Sequence, residues 1–249
     1  MRFLLRADAS DAIGYGHIMR CISLAERLTR EGHRAEIFTH DLPKPISDLF
    51  SSSTKFFECA ADYVPHESGS ITVVDSYTIK DTRSDVMRMR DNWFFIRSDL
   101  LRAKRDRDTC KNILISTGGI NQGIENVWTS PESNITLRTC SFADYPNALA
   151  WADLVVGAGG VSALERAYLG IPALVGAVAT NQLPNIEFLF YAFAAIPIDL
   201  SNSDAKTEWL ICLQKNPDLF VMMCNKAKKA VPRDSYPDFW KSVTDKYFQ

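Results

Sequence analysis

The chain carries little surplus charge. Its 28 Lys and Arg against 30 Asp and Glu leave a formal net charge of −2 at pH 7. That balance excludes a global attraction to nucleic acid or to an anionic membrane. Six cysteines, at 21, 59, 110, 140, 212 and 224, form no C-x-x-C pair. Their scatter argues against a disulfide frame or a zinc site and for reduced thiols in the cytoplasm. No uncharged apolar run reaches the ~18 residues of a membrane span. The longest, Phe188 to Ile198, reads as a helix end and a strand. The first apolar residues are few and interleaved with Arg2, Arg6 and Asp8, so no signal peptide is expected. A convincing metal cluster is also missing. Asp106 and Asp108 form a D-x-D string, but Arg102, Lys104, Arg105 and Arg107 crowd it. No metal and no cofactor are expected.

What is present is an ample core. Hydrophobic residues make up 46% of 249, enough for one large or two small domains. Apolar runs alternate with helical patterns in two successive rounds. Strands are predicted at Phe3–Leu5, Ala35–Thr39, Lys55–Glu58, Ile71–Asp75 and Trp93–Ile96, with Lys80–Arg90 read as a helix. The pattern restarts with strands at Asn112–Ser116, Ile135–Thr139, Leu154–Val156, Pro172–Val175 and Ile196–Leu200, and ends in three helices. The expected organisation is an N-terminal domain over 1–97, a charged linker over 98–110 and a C-terminal domain over 111–249. Both halves place glycine loops at strand ends, so two Rossmann-like domains facing each other across a ligand cleft are the expected fold.

Two constellations carry the chemistry. The first is Gly14-Tyr15-Gly16-His17-Ile18-Met19-Arg20, between the first strand and a helix with Ile18, Cys21, Ile22, Ala25 and Leu28 on one face. Glycines let a backbone approach a ligand, and a helix start presents free N–H groups to an anion. His17 sits at the junction, a side chain able to act as a base near neutral pH; the bland alternative is a capping or surface histidine. The stretch is not a dinucleotide fingerprint, because Met19 stands where the third glycine belongs. The second is Gly159-Gly160-Val161-Ser162-Ala163-Leu164-Glu165. Its backbone N–H groups can hold a diphosphate, and a carboxylate at Glu165 can accept from both ribose hydroxyls. The alternative is that the glycines permit tight packing and Glu165 faces solvent. Asn181, Gln182 and Asn185 add amides suited to sugar hydroxyls and acetamido groups, or to helix capping.

With Arg6 and Asp8, these motifs resemble the UDP-sugar hydrolases of pseudaminic acid biosynthesis, relatives of the GT-B glycosyltransferases of the MurG type. The likeness runs in order through Asp75-Ser76-Tyr77, Asp99-Leu100-Leu101-Arg102, Ser116-Thr117-Gly118-Gly119, Gly157 to Glu165 and Thr180-Asn181-Gln182. It implies a GT-B-like α/β fold and His17 as the base that activates water. It implies a sugar site from Asp8, Gly14, Gly16, Arg20, Tyr77, Asn181, Gln182 and Asn185. The UDP site it implies comprises Leu101, Arg102, Gly118, Gly119, Gly159, Gly160, Val161, Ser162 and Glu165. The implied substrate is UDP-2,4-diacetamido-2,4,6-trideoxy-β-L-altrose, cleaved with inversion in the cytoplasm. Ser76 replaces the motif's histidine and Asn121 its acid. The regions between Tyr77 and Leu100 and between Gly119 and Ile135 are shorter than the family pattern. Two other functions stay open: a glycosyltransferase with the same donor site, and an inactive UDP-sugar-binding homologue.

Overall fold

A computed structural model describes residues 1–10, 14–81, 83–90, 93–117 and 134–248. Its strands form two five-stranded parallel sheets. The chain divides into two compact units, Met1–Ser98 with Asp234–Gln249, and Asp99–Arg233.

The first unit runs β1 (Arg2–Ala7), α1 (Gly16–Arg30), β2 (Arg34–Thr39), α2 (Lys44–Phe50), β3 (Lys55–Glu58), β4 (Ser70–Asp75) and β5 (Val86–Arg88). The sheet order is β3-β2-β1-β4-β5, so direction of growth reverses between β1 and β4. Open parallel sheets bind ligands beyond the C-terminal ends of strands at such a reversal. The helical face of α1 packs as its spacing demands, with Ile18, Cys21, Ile22, Ala25 and Leu28 all buried. Gly32 ends the helix at φ +82°, and the His33 N–H reaches the Leu28 carbonyl at 2.9 Å. That is the left-handed glycine cap the sequence suggests.

Three expectations change here. Within the stretch read as a helix, Val86–Arg88 forms strand β5, with Val86 in register with Thr72. Trp93–Ile96 is buried but joins no sheet. Its aromatics meet α8 (Tyr236–Tyr247) instead: Phe239 lies 5.8 Å from Trp93 and 6.0 Å from Phe95 between ring centroids. Phe94 also exchanges hydrogen bonds with Ser235, which donates its N–H to the Phe94 carbonyl at 2.7 Å. An apolar run covered by a helix looks the same in sequence as one paired in a ladder. For the same reason α8, grouped by chain order with residues 111–249, belongs to the first unit.

The second unit runs β6 (Asn112–Ser116), β7 (Thr136–Arg138), α3 (Tyr145–Trp151), β8 (Leu154–Ala158), α4 (Val161–Tyr168), β9 (Ala173–Gly176), α5 (Leu183–Tyr191), β10 (Ala195–Pro197), α6 (Ser203–Lys215) and α7 (Pro217–Ala230). Its order, β10-β9-β8-β6-β7, reverses between β6 and β8. Ile113, Ile115, Leu154, Val156 and Leu174 from the sheet pack on Leu210, Leu213, Phe220 and Met223 from α6 and α7. The expected solvated linker is in part interior. A 3₁₀ turn at Ser98–Ala103 buries Leu100 and Ala103. The buried Arg107 guanidinium donates to the carbonyls of Ala103, Arg105 and Ala152 at 2.9 Å and of Leu169 at 3.2 Å. Ala152 and Leu169 close α3 and α4, so the cation sits where helix dipoles are negative. Burial, reinforced by the neighbouring Arg105, brings its pKa down to about 10. Among the described residues no helix is long and apolar enough to cross a membrane.

Candidate active site

The strand register assembles the first cluster. Ala7 of β1 pairs with Asp75 of β4, so the loop into α1 and the end of β4 lie side by side. Gly14 takes φ +76° and donates its N–H to the Ser10 carbonyl at 2.8 Å. A side chain there would meet nothing within 4 Å, so the left-handed backbone, not space, calls for glycine. Gly16 opens α1, and the first turn of the helix holds no acidic residue. His17 follows, 7% exposed.

The His17 Nδ1–H donates to Asp75 Oδ1 at 2.7 Å. Arg20, one turn on and 5% exposed, grips the same carboxylate with two nitrogens, Nε to Oδ2 at 2.7 Å and Nη2 to Oδ1. Arg20 Nη1 also donates to the Trp93 carbonyl at 3.1 Å. Burial opposes ionisation of Asp75, yet the bonds from His17 and Arg20 outweigh it and hold the carboxyl below its ordinary range. Burial likewise opposes the Arg20 charge, and Asp75 more than offsets it. An ionised carboxylate only accepts, so it fixes the His17 tautomer with the proton on Nδ1. Nε2 then carries the lone pair, and among the described residues it has no hydrogen-bond partner. Tyr77, 55% exposed, meets the imidazole in a T-shaped pair with centroids 4.4 Å apart and an angle of 81°.

Asp75 stands in the Asp75-Ser76-Tyr77 motif without a role of its own in the sequence reading; its signal is an acid closing a buried strand, Ile71 to Val74, at a sheet's ligand end. Ser76 turns its hydroxyl to the N–H groups of Thr78 and Ile79 at 3.2 and 3.3 Å. Asp8 accepts from Arg6 and from the His40 N–H at 3.2 Å, tying the ends of β1 and β2.

The second cluster is made mostly of missing side chains. Gly157 pairs with Ser116, and a Cβ on it would fall 1.8 Å from the Ser116 carbonyl oxygen. A Cβ on Gly159 would fall 2.1 Å from Ile186, so tight packing explains that glycine. Gly160, the N-cap of α4, is different: the nearest atom to a Cβ there is the Gln182 amide nitrogen at 3.6 Å. Gln182 is held by its Oε1, which accepts from the Val178 N–H at 3.1 Å, so it meets the glycine turn. Val161 and Ser162 form the first turn of α4, half-buried, and Glu165 is 6% exposed, which rules out a solvent-facing role. Asn181 is exposed in the turn Thr180–Gln182, and Asn185 is half-buried in α5. Leu101 and Arg102 are exposed on the 3₁₀ turn. Ile13, Gly118, Gly119 and Asn121 lie outside the described residues. Among the described residues no three His, Cys, Asp or Glu side chains converge to hold a metal ion.

Two parallel Rossmann-like sheets, each with its crevice at a reversal of strand order, define the GT-B fold. No family model and no curated protein matches the chain. Solved structures do. MurG of Acinetobacter baumannii superposes with a TM-score of 0.61 at 13% identity, covering 99% of this chain and 100% of that one. The spinosyn rhamnosyltransferase SpnG gives 0.62 at 12% identity over 98% and 100%. The Streptomyces sp. SF2575 glycosyltransferase SsfS6 gives 0.53 at 12% identity over 93% and 95%. At these identities the likeness defines the fold.

Proposed function

We propose that the chain is a UDP-sugar hydrolase that releases UDP from a diacetamido-trideoxy hexose, with UDP-2,4-diacetamido-2,4,6-trideoxy-β-L-altrose as the substrate. The observation that carries this reading is the His17–Asp75 hydrogen bond of 2.7 Å at the switch point of the first sheet. Asp75 orients the imidazole through Nδ1, and in the neutral ring Nε2 takes a proton from water as the water attacks the anomeric carbon. General-base assistance of this kind is worth about 10²–10⁴ in rate. Water enters opposite the departing UDP, so the anomeric centre inverts. Arg20 neutralises Asp75, which leaves the His17–Asp75–Arg20 cluster with no net charge before the proton moves and one positive charge after it. That charge develops as the diphosphate leaves with its own negative charge. Tyr77 beside the imidazole supplies a sugar contact, and the motif likeness assigns the amides of Asn181, Gln182 and Asn185 to the sugar as well. Glu165 takes the ribose, and the N–H groups at Gly160 and Val161 take the diphosphate. Sequence order and motif matches, rather than the fold, support the choice of this hydrolase.

A second reading has its own support: MurG, SpnG and SsfS6 are the fold's neighbours, and SpnG and SsfS6 are named as transferases. A glycosyltransferase would use the same base on an acceptor hydroxyl. Incubation with the UDP-sugar alone, followed by NMR, separates them. Free UDP with free sugar of inverted configuration supports hydrolysis. Turnover that appears only with an added acceptor supports transfer, and binding without turnover marks an inactive homologue.

A further inference from the structure

Arg6, Arg107 and Arg166 are each buried against backbone carbonyls, and they differ. Arg6 directs its nitrogens to the carbonyls of Tyr63, Ala7 and Ala61 at 2.8, 3.0 and 2.9 Å. Arg107 satisfies all of its nitrogens in the same way. Arg166 on α4 does not. It is fully buried, and Nη2 donates to the Ala158 carbonyl at 2.5 Å, but among the described residues Nε and Nη1 have no hydrogen-bond partner. It makes no ion pair among them either. A cation buried without a counter-charge is costly, and removing donors from water without acceptors adds to that cost.

Its position says what would offset the cost. Nη1 lies 3.6 Å from where a Gly157 Cβ would stand, against the last residues of β8. Gly157 pairs with Ser116 at the end of β6, so the guanidinium lies beneath the reversal between β6 and β8. Just beyond, Gly159 and Gly160 turn the chain into α4, whose first turn holds no acidic residue. The fixed charge of Arg166 and the helix dipole have the same sign and favour an anion at the same strand ends.

We propose that Arg166 is the specificity-determining residue of this crevice, a buried charge that selects a phosphate-bearing ligand through its field, without touching it. The residue does not act on the reacting atoms. The nucleoside part of the inference rests on the UDP-sugar reading; the anion part does not.

The test is calorimetric titration of wild type, Arg166→Met and Arg166→Lys with UDP, uridine and inorganic diphosphate, each variant first checked for a cooperative thermal transition. The expected result is a loss of at least about tenfold in affinity for UDP and diphosphate in Arg166→Met, with uridine within about twofold, and recovery of most of the loss in Arg166→Lys. An equal loss for uridine and UDP would mean a scaffold role and overturn the proposal, as would unchanged UDP affinity in the folded variant. Should Arg166→Met fail to fold, the lysine variant decides: a UDP-to-uridine affinity ratio near wild type supports the charge, and a tenfold fall in that ratio rejects it. Wild-type binding of diphosphate without uridine keeps the anion site and removes the nucleotide reading. Wild-type binding of UDP that Arg166→Met leaves undiminished does the reverse, and binding of none of the three overturns both.

Discussion

The two sheets are alike in strand number, parallel pairing and a reversal of order, yet their crevices are built from opposite materials. The first is lined by side chains that hold one another: His17 and Arg20 from α1, Asp75 from β4, Tyr77 just after it. The second is shaped by side chains left out, at Gly157, Gly159 and Gly160, with one buried charge behind them. An ion pair around an imidazole is suited to moving a proton. A bare turn into a helix is suited to letting a ligand's phosphates meet backbone N–H groups. The same topology thus supports two chemistries, and the difference should appear in how each edge fails.

The largest effect should come from removing the hub of the first crevice. Asp75→Ala leaves Arg20 buried without its counter-charge, and breaking a buried pair this way costs about 3–5 kcal/mol of stability. Urea denaturation would measure it. An unchanged midpoint would mean the side-chain lattice does not hold this edge. The same position carries a pH signature. The folded-state pKa of Asp75 lies below its unfolded value of about 3.9. Its contribution is therefore fully present above that unfolded value and is lost as pH falls through the lower folded one. The gap between wild type and Asp75→Asn should accordingly be widest at neutral pH and narrow progressively as pH falls below the unfolded value of about 3.9.

His17→Ala should separate chemistry from scaffold. The proposal expects turnover to fall by about 10²–10⁴ with UDP affinity retained. Single-turnover UDP release and calorimetry report the two quantities independently, and near-normal turnover would remove His17 as the base.

Glycine substitutions should sharpen the comparison within the second crevice. A methyl at Gly157 would overlap the Ser116 carbonyl, a clash against backbone expected to cost about 1–3 kcal/mol or more. Gly160→Ala meets only ordinary contact, so its stability should stay within about 0.5 kcal/mol. If Gly160→Ala nevertheless weakens UDP while thermal melting is unchanged, that glycine serves the ligand. If neither property moves, the turn is only a connection.

Glu165 should act on affinity rather than on the fold. A hydrogen bond to a charged group contributes about 1.5–3 kcal/mol, so Glu165→Gln should weaken UDP up to about a hundredfold. Ribose hydroxyls do not change in the reaction, so KM should rise while kcat stays nearly constant. A fall in kcat at constant KM would place Glu165 in the chemistry instead.

Much of this was legible in the sequence because it is local. The apolar spacing of α1, the run Ile71–Asp75 and the glycine turn before α4 report structure within a few residues of themselves. So does the alternation that signals a parallel sheet. From these came the two Rossmann-like rounds, the loop with His17 and the helix with Glu165. Tertiary structure decided the partners. Asp75 meets His17 across 58 residues only because β4 crosses to the far side of β1 and pairs in the register Ala7–Asp75. Trp93, Phe94 and Phe95 are apolar for the sake of a helix about 140 residues further on, which no local pattern can distinguish from a strand partner. Arg107 reads in the sequence as part of a charged linker, and nothing local marks Arg166. Only packing shows that one is satisfied by carbonyls at helix ends and the other is buried with two nitrogens unpaired, because burial depends on everything folded around a residue.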